Sequence, residues 1–66
     1  MYTAIIIEDE YPAILRLKHM VSLHSDAITL LTHADTGRAG IDSVNKLRPD
    51  VIFLDIQLPD MTGFEV

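Results

Sequence analysis

Two groups of carboxylates in this chain stand where they can act on a ligand. Asp55 closes the apolar run Val51-Ile52-Phe53-Leu54, and Glu8-Asp9-Glu10 follows the apolar run Thr3-Ala4-Ile5-Ile6-Ile7. An ionised carboxylate inside a buried strand is costly unless it is paired or solvated. Asp55 is therefore expected where a strand empties into a loop, and Pro59 and Gly63 mark that loop. Open α/β sheets place their ligand chemistry at this carboxyl end of the strands. If the strands that carry the two groups are parallel neighbours, Glu8, Asp9 and Asp55 converge in one crevice. Carboxylates that close repel, which raises at least one pKa. A hard divalent cation removes the problem, and Mg²⁺ is typically held by one or two carboxylates together with a phosphate. An aspartate can also act as a nucleophile toward phosphorus, giving an acyl phosphate. The pattern points to a Mg²⁺ site with Asp55 positioned to react. Each signal alone has a plainer reading, the acid run as a solvated strand end and Asp55 as a turn former or helix cap. Their shared sheet edge is what favours chemistry. His19, His24 and His33 have neither ligand spacing nor a common site and receive no role.

The elements that must position these acids follow from periodicity. Residues 3–7 form a short apolar, β-branched run, a first strand. Pro12 suits the first turn of a helix, and Ile14, Leu17 and Val21 recur at three- and four-residue spacing, so an amphipathic helix is expected to end near His24. Ser25-Asp26 makes a turn, and Ile28–Thr32 reads as a second strand. Asp35 or Thr36 is the expected N-cap of a second helix, whose apolar side holds Ile41, Val44 and Leu47. Gly37 and Gly40 weaken that helix by propensity. Leu47-Arg48-Pro49-Asp50 stops it and feeds the strand that ends at Asp55. That last strand, rich in β-branched and aromatic residues, is expected to be buried on both faces. The β-α-β-α-β alternation implies an α/β fold, part of a doubly wound parallel sheet. The terminal Gly63-Phe64-Glu65-Val66 reads as the first turn of a further helix.

Composition excludes several classes. The 66 residues carry a net charge of −5, which argues against a nucleic-acid surface in this piece. No apolar run approaches the roughly 18 residues of a membrane span, and no secretory signal opens the chain. Cysteine is absent, so neither a disulfide nor a thiolate metal site supports so small a core. A cytoplasmic protein is expected, and the length points to one partial domain of a longer chain.

Ile5-Ile6-Ile7-Glu8-Asp9-Glu10 and Arg48-Pro49-Asp50-Val51-Ile52-Phe53-Leu54-Asp55-Ile56-Gln57-Leu58-Pro59-Asp60-Met61-Thr62-Gly63, at their spacing, resemble the receiver domain of two-component response regulators. The resemblance covers residues 1–66 and implies the N-terminal portion of a receiver, a partial flavodoxin-like fold. It implies that Asp55 is the phosphoacceptor, taking a phosphoryl group from a phosphohistidine of a sensor histidine kinase. It implies Asp9 as a direct Mg²⁺ ligand, Glu8 acting mostly through water, and Gln57 contributing its backbone carbonyl. Pro59 and Gly63 match the loop that shapes the phosphorylation pocket. Glu8, where many receivers have Asp, together with Tyr11-Pro12-Ala13 is similar to regulators with a LytTR-type DNA-binding output domain. DNA would then be bound through that domain and not through these residues. The Ser or Thr after the family's fourth strand and the Lys after its fifth fall outside this sequence, as does the face that responds to phosphorylation. The third strand's outer edge is left open, so self-association of the fragment is expected. Such a module is a phospho-accepting signalling protein, not an enzyme. Two other functions fit the acids: a Mg²⁺-dependent phosphohydrolase with an aspartyl-phosphate intermediate, and a pseudo-receiver that serves only as an interaction surface. Haloacid-dehalogenase-type hydrolases want a second Asp two residues after the nucleophile, where this chain has Gln57.

Overall fold

The strand formed by Tyr2–Ile7 (β1) is the centre of the molecule, and the computed structural model describes it together with the rest of residues 1–66. Ala4, Ile5, Ile6 and Ile7 are wholly buried. An unbroken apolar, mostly β-branched run tolerates such a place because no side chain on either face needs a polar partner. Helix α1 (Tyr11–Ser22) follows, with Pro12 in its first turn and Ile14 and Val21 buried. Strand β2 (Ile28–Ala34), helix α2 (Gly37–Leu47) and strand β3 (Val51–Leu54) complete the β-α-β-α-β order.

The sheet has the order β2-β1-β3, and both pairings are parallel. The parallel pairing is what the alternation implied, and the order is the first part of the flavodoxin-like arrangement that the resemblance implied. β1 pairs with β2 from Tyr2 opposite Ile28 to Ile7 opposite Ala34, and the register shifts between Ala4 and Ile5. β1 pairs with β3 from Ala4 opposite Val51 to Ile7 opposite Leu54. Asp50 fastens the start of β3: its carboxylate accepts from the Thr3 amide at 2.8 Å, and its own amide donates to the Thr3 carbonyl at 2.9 Å.

Three expectations change. The strand buried on both faces is β1, whereas β3 alternates half-buried Val51 and Phe53 with Ile52 and Leu54, which are 39% and 41% exposed. Apolar composition is common to both strands; the difference is that β1 has a neighbour on each side and β3 only one. Helix α1 ends at Ser22, where the Leu23 amide donates to the carbonyls of His19 and Met20 at 3.2 Å. Strand β2 runs two residues beyond Thr32, to Ala34. The C-terminal residues form a turn over Gly63–Glu65 in which the Glu65 carboxylate accepts from the Thr62 amide at 3.1 Å, one half of a capping box.

Candidate metal and phosphoacceptor site

Because Ile7 lies opposite Leu54, the residues that leave β1 and β3 emerge side by side at the carboxyl edge of the sheet. The Asp55 amide continues the ladder, donating to the Ile7 carbonyl at 3.0 Å, while the Glu8 amide donates to the Ala34 carbonyl of β2 at 2.9 Å. The backbone thus pins both acids before their side chains begin. Glu8, Asp9 and Asp55 each offer a carboxylate oxygen, and these oxygens lie within 4.8 Å of one another. Glu8 and Asp55 are half-buried and Asp9 is exposed. The three residues singled out in sequence are brought together.

Glu10, the third acid of the run, stands apart from this cluster. Its amide donates to Glu8 Oε1 at 3.2 Å and its carbonyl accepts from Ile14 to begin α1. Electrostatics in the crevice are uncompensated. Burial pushes the Glu8 carboxyl above its ordinary value; the Glu10 amide opposes this, and the charges of Asp55 and Asp9 add to it. The chain's ion pair, Arg38 with Asp42 at 3.3 Å, lies on the exposed side of α2 and does not reach these acids. A set of three hard oxygen donors with a resisted negative charge fits a divalent cation of the Mg²⁺ type. The single cavity, about 290 Å³ between α1 and β2 and lined by Lys18, Val21 and Ile28 among others, includes none of the acids. The three carboxylates stand open at the sheet edge, outside that cavity.

The loop after Asp55 doubles back on itself. Gln57 and Thr62 face each other as an antiparallel bridge, closed by Leu58 donating to the Met61 carbonyl at 3.0 Å and Gly63 donating to the Ile56 carbonyl at 2.6 Å. These flanking bonds are those of a pair that is not itself hydrogen-bonded, so Gln57's own carbonyl is left free by the bridge. The Gln57 amide turns toward Asp55 Oδ1 at 3.4 Å. A Cβ at Gly63 would overlap the Asp55 carbonyl oxygen, so a side chain there would force the two limbs of the loop apart. Leu58, 3% exposed, packs with Ile5 and Ile7 and holds the loop against the core.

Sequence reasoning missed Asp60. Its carboxylate spans the start of α2, accepting from the Gly37 amide at 2.6 Å and the Arg38 amide at 2.9 Å. These two bonds hold the Asp60 carboxyl below its ordinary value. Thr36, one of the two expected caps, accepts from the Ala39 amide at 3.1 Å. Three amides that a helix start leaves without partners are thereby satisfied. Gly37 has its place for a second reason, since a Cβ there would overlap the Met61 side chain.

A parallel sheet with a carboxylate crevice between its first and third strands defines an α/β module with an acidic site at its sheet edge. The chain belongs to the response regulator receiver domain family, which matches residues 4–66; this is not a family of catalytic enzymes. Over all 66 residues it is 41% identical to an uncharacterized response regulatory protein of Vibrio vulnificus (strain CMCP6). It is 39% identical over the same span to the transcriptional regulatory protein BtsR of Escherichia coli (strain K12). The chain spans 27% of the length of each of these relatives. No helix is long and apolar enough to cross a membrane.

Proposed function

We propose that Asp55 accepts a phosphoryl group from a phosphohistidine on a sensor histidine kinase, in a site where Mg²⁺ is held by Glu8, Asp9, Asp55 and the Gln57 backbone carbonyl. The observation that carries this reading is the convergence of three carboxylates within 4.8 Å, with Glu8 resisting ionisation, at the edge where Asp55 ends its strand. When bound, the metal would neutralise the charge of the incoming phosphoryl group. The chain's own residues do the rest. An Asp55 carboxylate oxygen attacks phosphorus, an O–P bond forms as the P–N bond breaks, and the leaving imidazole nitrogen takes a proton from solvent. The Asp55 amide, bonded to Ile7, fixes where the nucleophile stands. The free Gln57 carbonyl adds an oxygen donor without adding charge to an already acidic crevice.

In this reading residues 1–66 are the N-terminal portion of a receiver domain in a longer cytoplasmic regulator. An output domain, of the LytTR type that Glu8 and Tyr11-Pro12-Ala13 suggest, binds DNA and controls transcription. Support comes from the length of the relatives and from BtsR being a transcriptional regulatory protein.

The test incubates the full-length protein with Mg²⁺ and acetyl phosphate and weighs it by mass spectrometry. A single phosphoryl adduct is expected, lost in Asp55→Asn and lost when Mg²⁺ is chelated. Multiple turnover of a phosphate ester would instead indicate a phosphohydrolase. Absence of any adduct in the wild-type protein would indicate a pseudo-receiver.

A further inference from the structure

The loop that carries Gln57 is held at three places. Its base is tied to β1 through the Asp55 amide and the Ile7 carbonyl, and Leu58 seats its middle in the core beside Ile5 and Ile7. The third tie lies at its tip, where Asp60 reaches the start of α2 and bonds the Gly37 and Arg38 amides, one with each carboxylate oxygen. The base and core contacts lie on the Asp55–Leu58 side of the loop. At the tip, the hydrogen bonds that reach another element are those of the Asp60 carboxylate, which accepts from two successive amides. Gly37 permits the approach, because any side chain there would meet Met61, the residue next to Asp60. Gln57 lies between the fixed base and the fixed tip, paired with Thr62, and its carbonyl is unused by the bridge.

We propose that Asp60 is a positioning residue for the metal site: by clamping the loop tip to the N-terminus of α2 it fixes the direction of the Gln57 carbonyl. The proposal rests on the phosphoacceptor reading above. Asp60 touches neither the metal nor the phosphoryl group, so its loss is felt as poorer assembly of the donor set and not as a slower chemical step. Residues that orient ligands in this indirect way typically matter by about 10-fold or more in metal affinity.

The experiment measures Mg²⁺ affinity of the full-length protein by titration calorimetry, and the rate of adduct formation from acetyl phosphate as Mg²⁺ is varied. Asp60→Ala is expected to raise the half-saturating Mg²⁺ concentration by roughly 10-fold while leaving the rate at saturating Mg²⁺ close to wild type. Asp60→Asn keeps one oxygen acceptor and should fall between the two. Gly37→Ala disturbs the same clamp from the helix side, through Met61, and should shift the Mg²⁺ dependence in the same direction with Asp60 intact. If these variants melt at lower temperature but keep wild-type Mg²⁺ dependence, Asp60 is only a helix cap and the proposal fails. A fall in the saturated rate at unchanged Mg²⁺ affinity would also overturn it. Failure of the wild-type protein to bind Mg²⁺ or form an adduct would overturn the phosphoacceptor reading itself, which these variants leave separately visible.

Discussion

The protein resists ionisation of Glu8, because desolvation at the end of β1 outweighs the single amide that Glu10 donates to it. The folded state therefore keeps the Glu8 proton to a higher pH than the unfolded chain, whose ordinary value is 4.5. Stability from this group is fully present below that value and is lost as pH rises through the raised one. In metal-free protein near neutrality the Glu8 carboxylate is thus a net cost. Full-length Glu8→Gln in the presence of a chelator should melt above wild type at about pH 7, and the gap should close toward about pH 4. Adding Mg²⁺ should reverse the order, since only the wild-type protein keeps all three carboxylates. Thermal scans at the two pH values decide it, and a gap independent of pH would refute the assignment. Glu8, Asp9 and Asp55 were legible in the sequence because charge at the end of an apolar run is a one-dimensional pattern. Asp60 was not, because the amides it bonds are 23 and 22 residues away and backbone donors carry no sequence signature.

At the scale of elements, the two glycines of α2 show how propensity and packing diverge. Read as isolated helix residues, Gly37 and Gly40 only weaken α2. In the fold Gly40 is buried against Ile7, and a Cβ there would stand 2.6 Å from its Cδ1 and 2.9 Å from its Cγ2. Ile7 is itself wholly buried in the sheet's centre, so its side chain cannot give way by turning into solvent. Overpacking of this kind costs about 1–3 kcal/mol, against a gain of roughly 1 kcal/mol from replacing a helical glycine by alanine. Gly40→Ala is expected to be net destabilising in denaturant unfolding of the full-length protein. Combining it with Ile7→Val, which removes the nearest methyl, should recover part of the loss. An alanine variant as stable as wild type would show that α2 can slide on the sheet. The number and order of elements were legible from the change between strand-like and helix-like periods. Which strand became the doubly buried one was not, because an apolar run states what a strand tolerates, and its neighbours are decided by topology.

The whole molecule has a sheet with two open edges and a core of only eight buried apolar residues. So small a core leaves little stability in hand, and pairing between copies then competes with the isolated fold. The two edges differ in what they offer. On β2 the exposed positions Thr29, Leu31 and His33 are mostly polar, and the register shift in its pairing with β1 makes it irregular. On β3 the exposed positions are Ile52 and Leu54, and Ile56 just beyond them is 62% exposed. An apolar edge with unpaired backbone donors and acceptors is a template for another strand. The net charge of −5 opposes association, but at about 0.15 M salt charges are screened beyond roughly 8 Å. The 66-residue chain alone is therefore expected to self-associate through β3, with a mass by light scattering that rises with concentration. Ile52→Lys places a charge on that edge and should return the chain toward monomer. Leu31→Lys on β2 should leave the association unchanged. A monodisperse monomer that unfolds cooperatively at every concentration would sink this expectation, and an equal effect of both lysines would move the contact from β3 to the sheet as a whole.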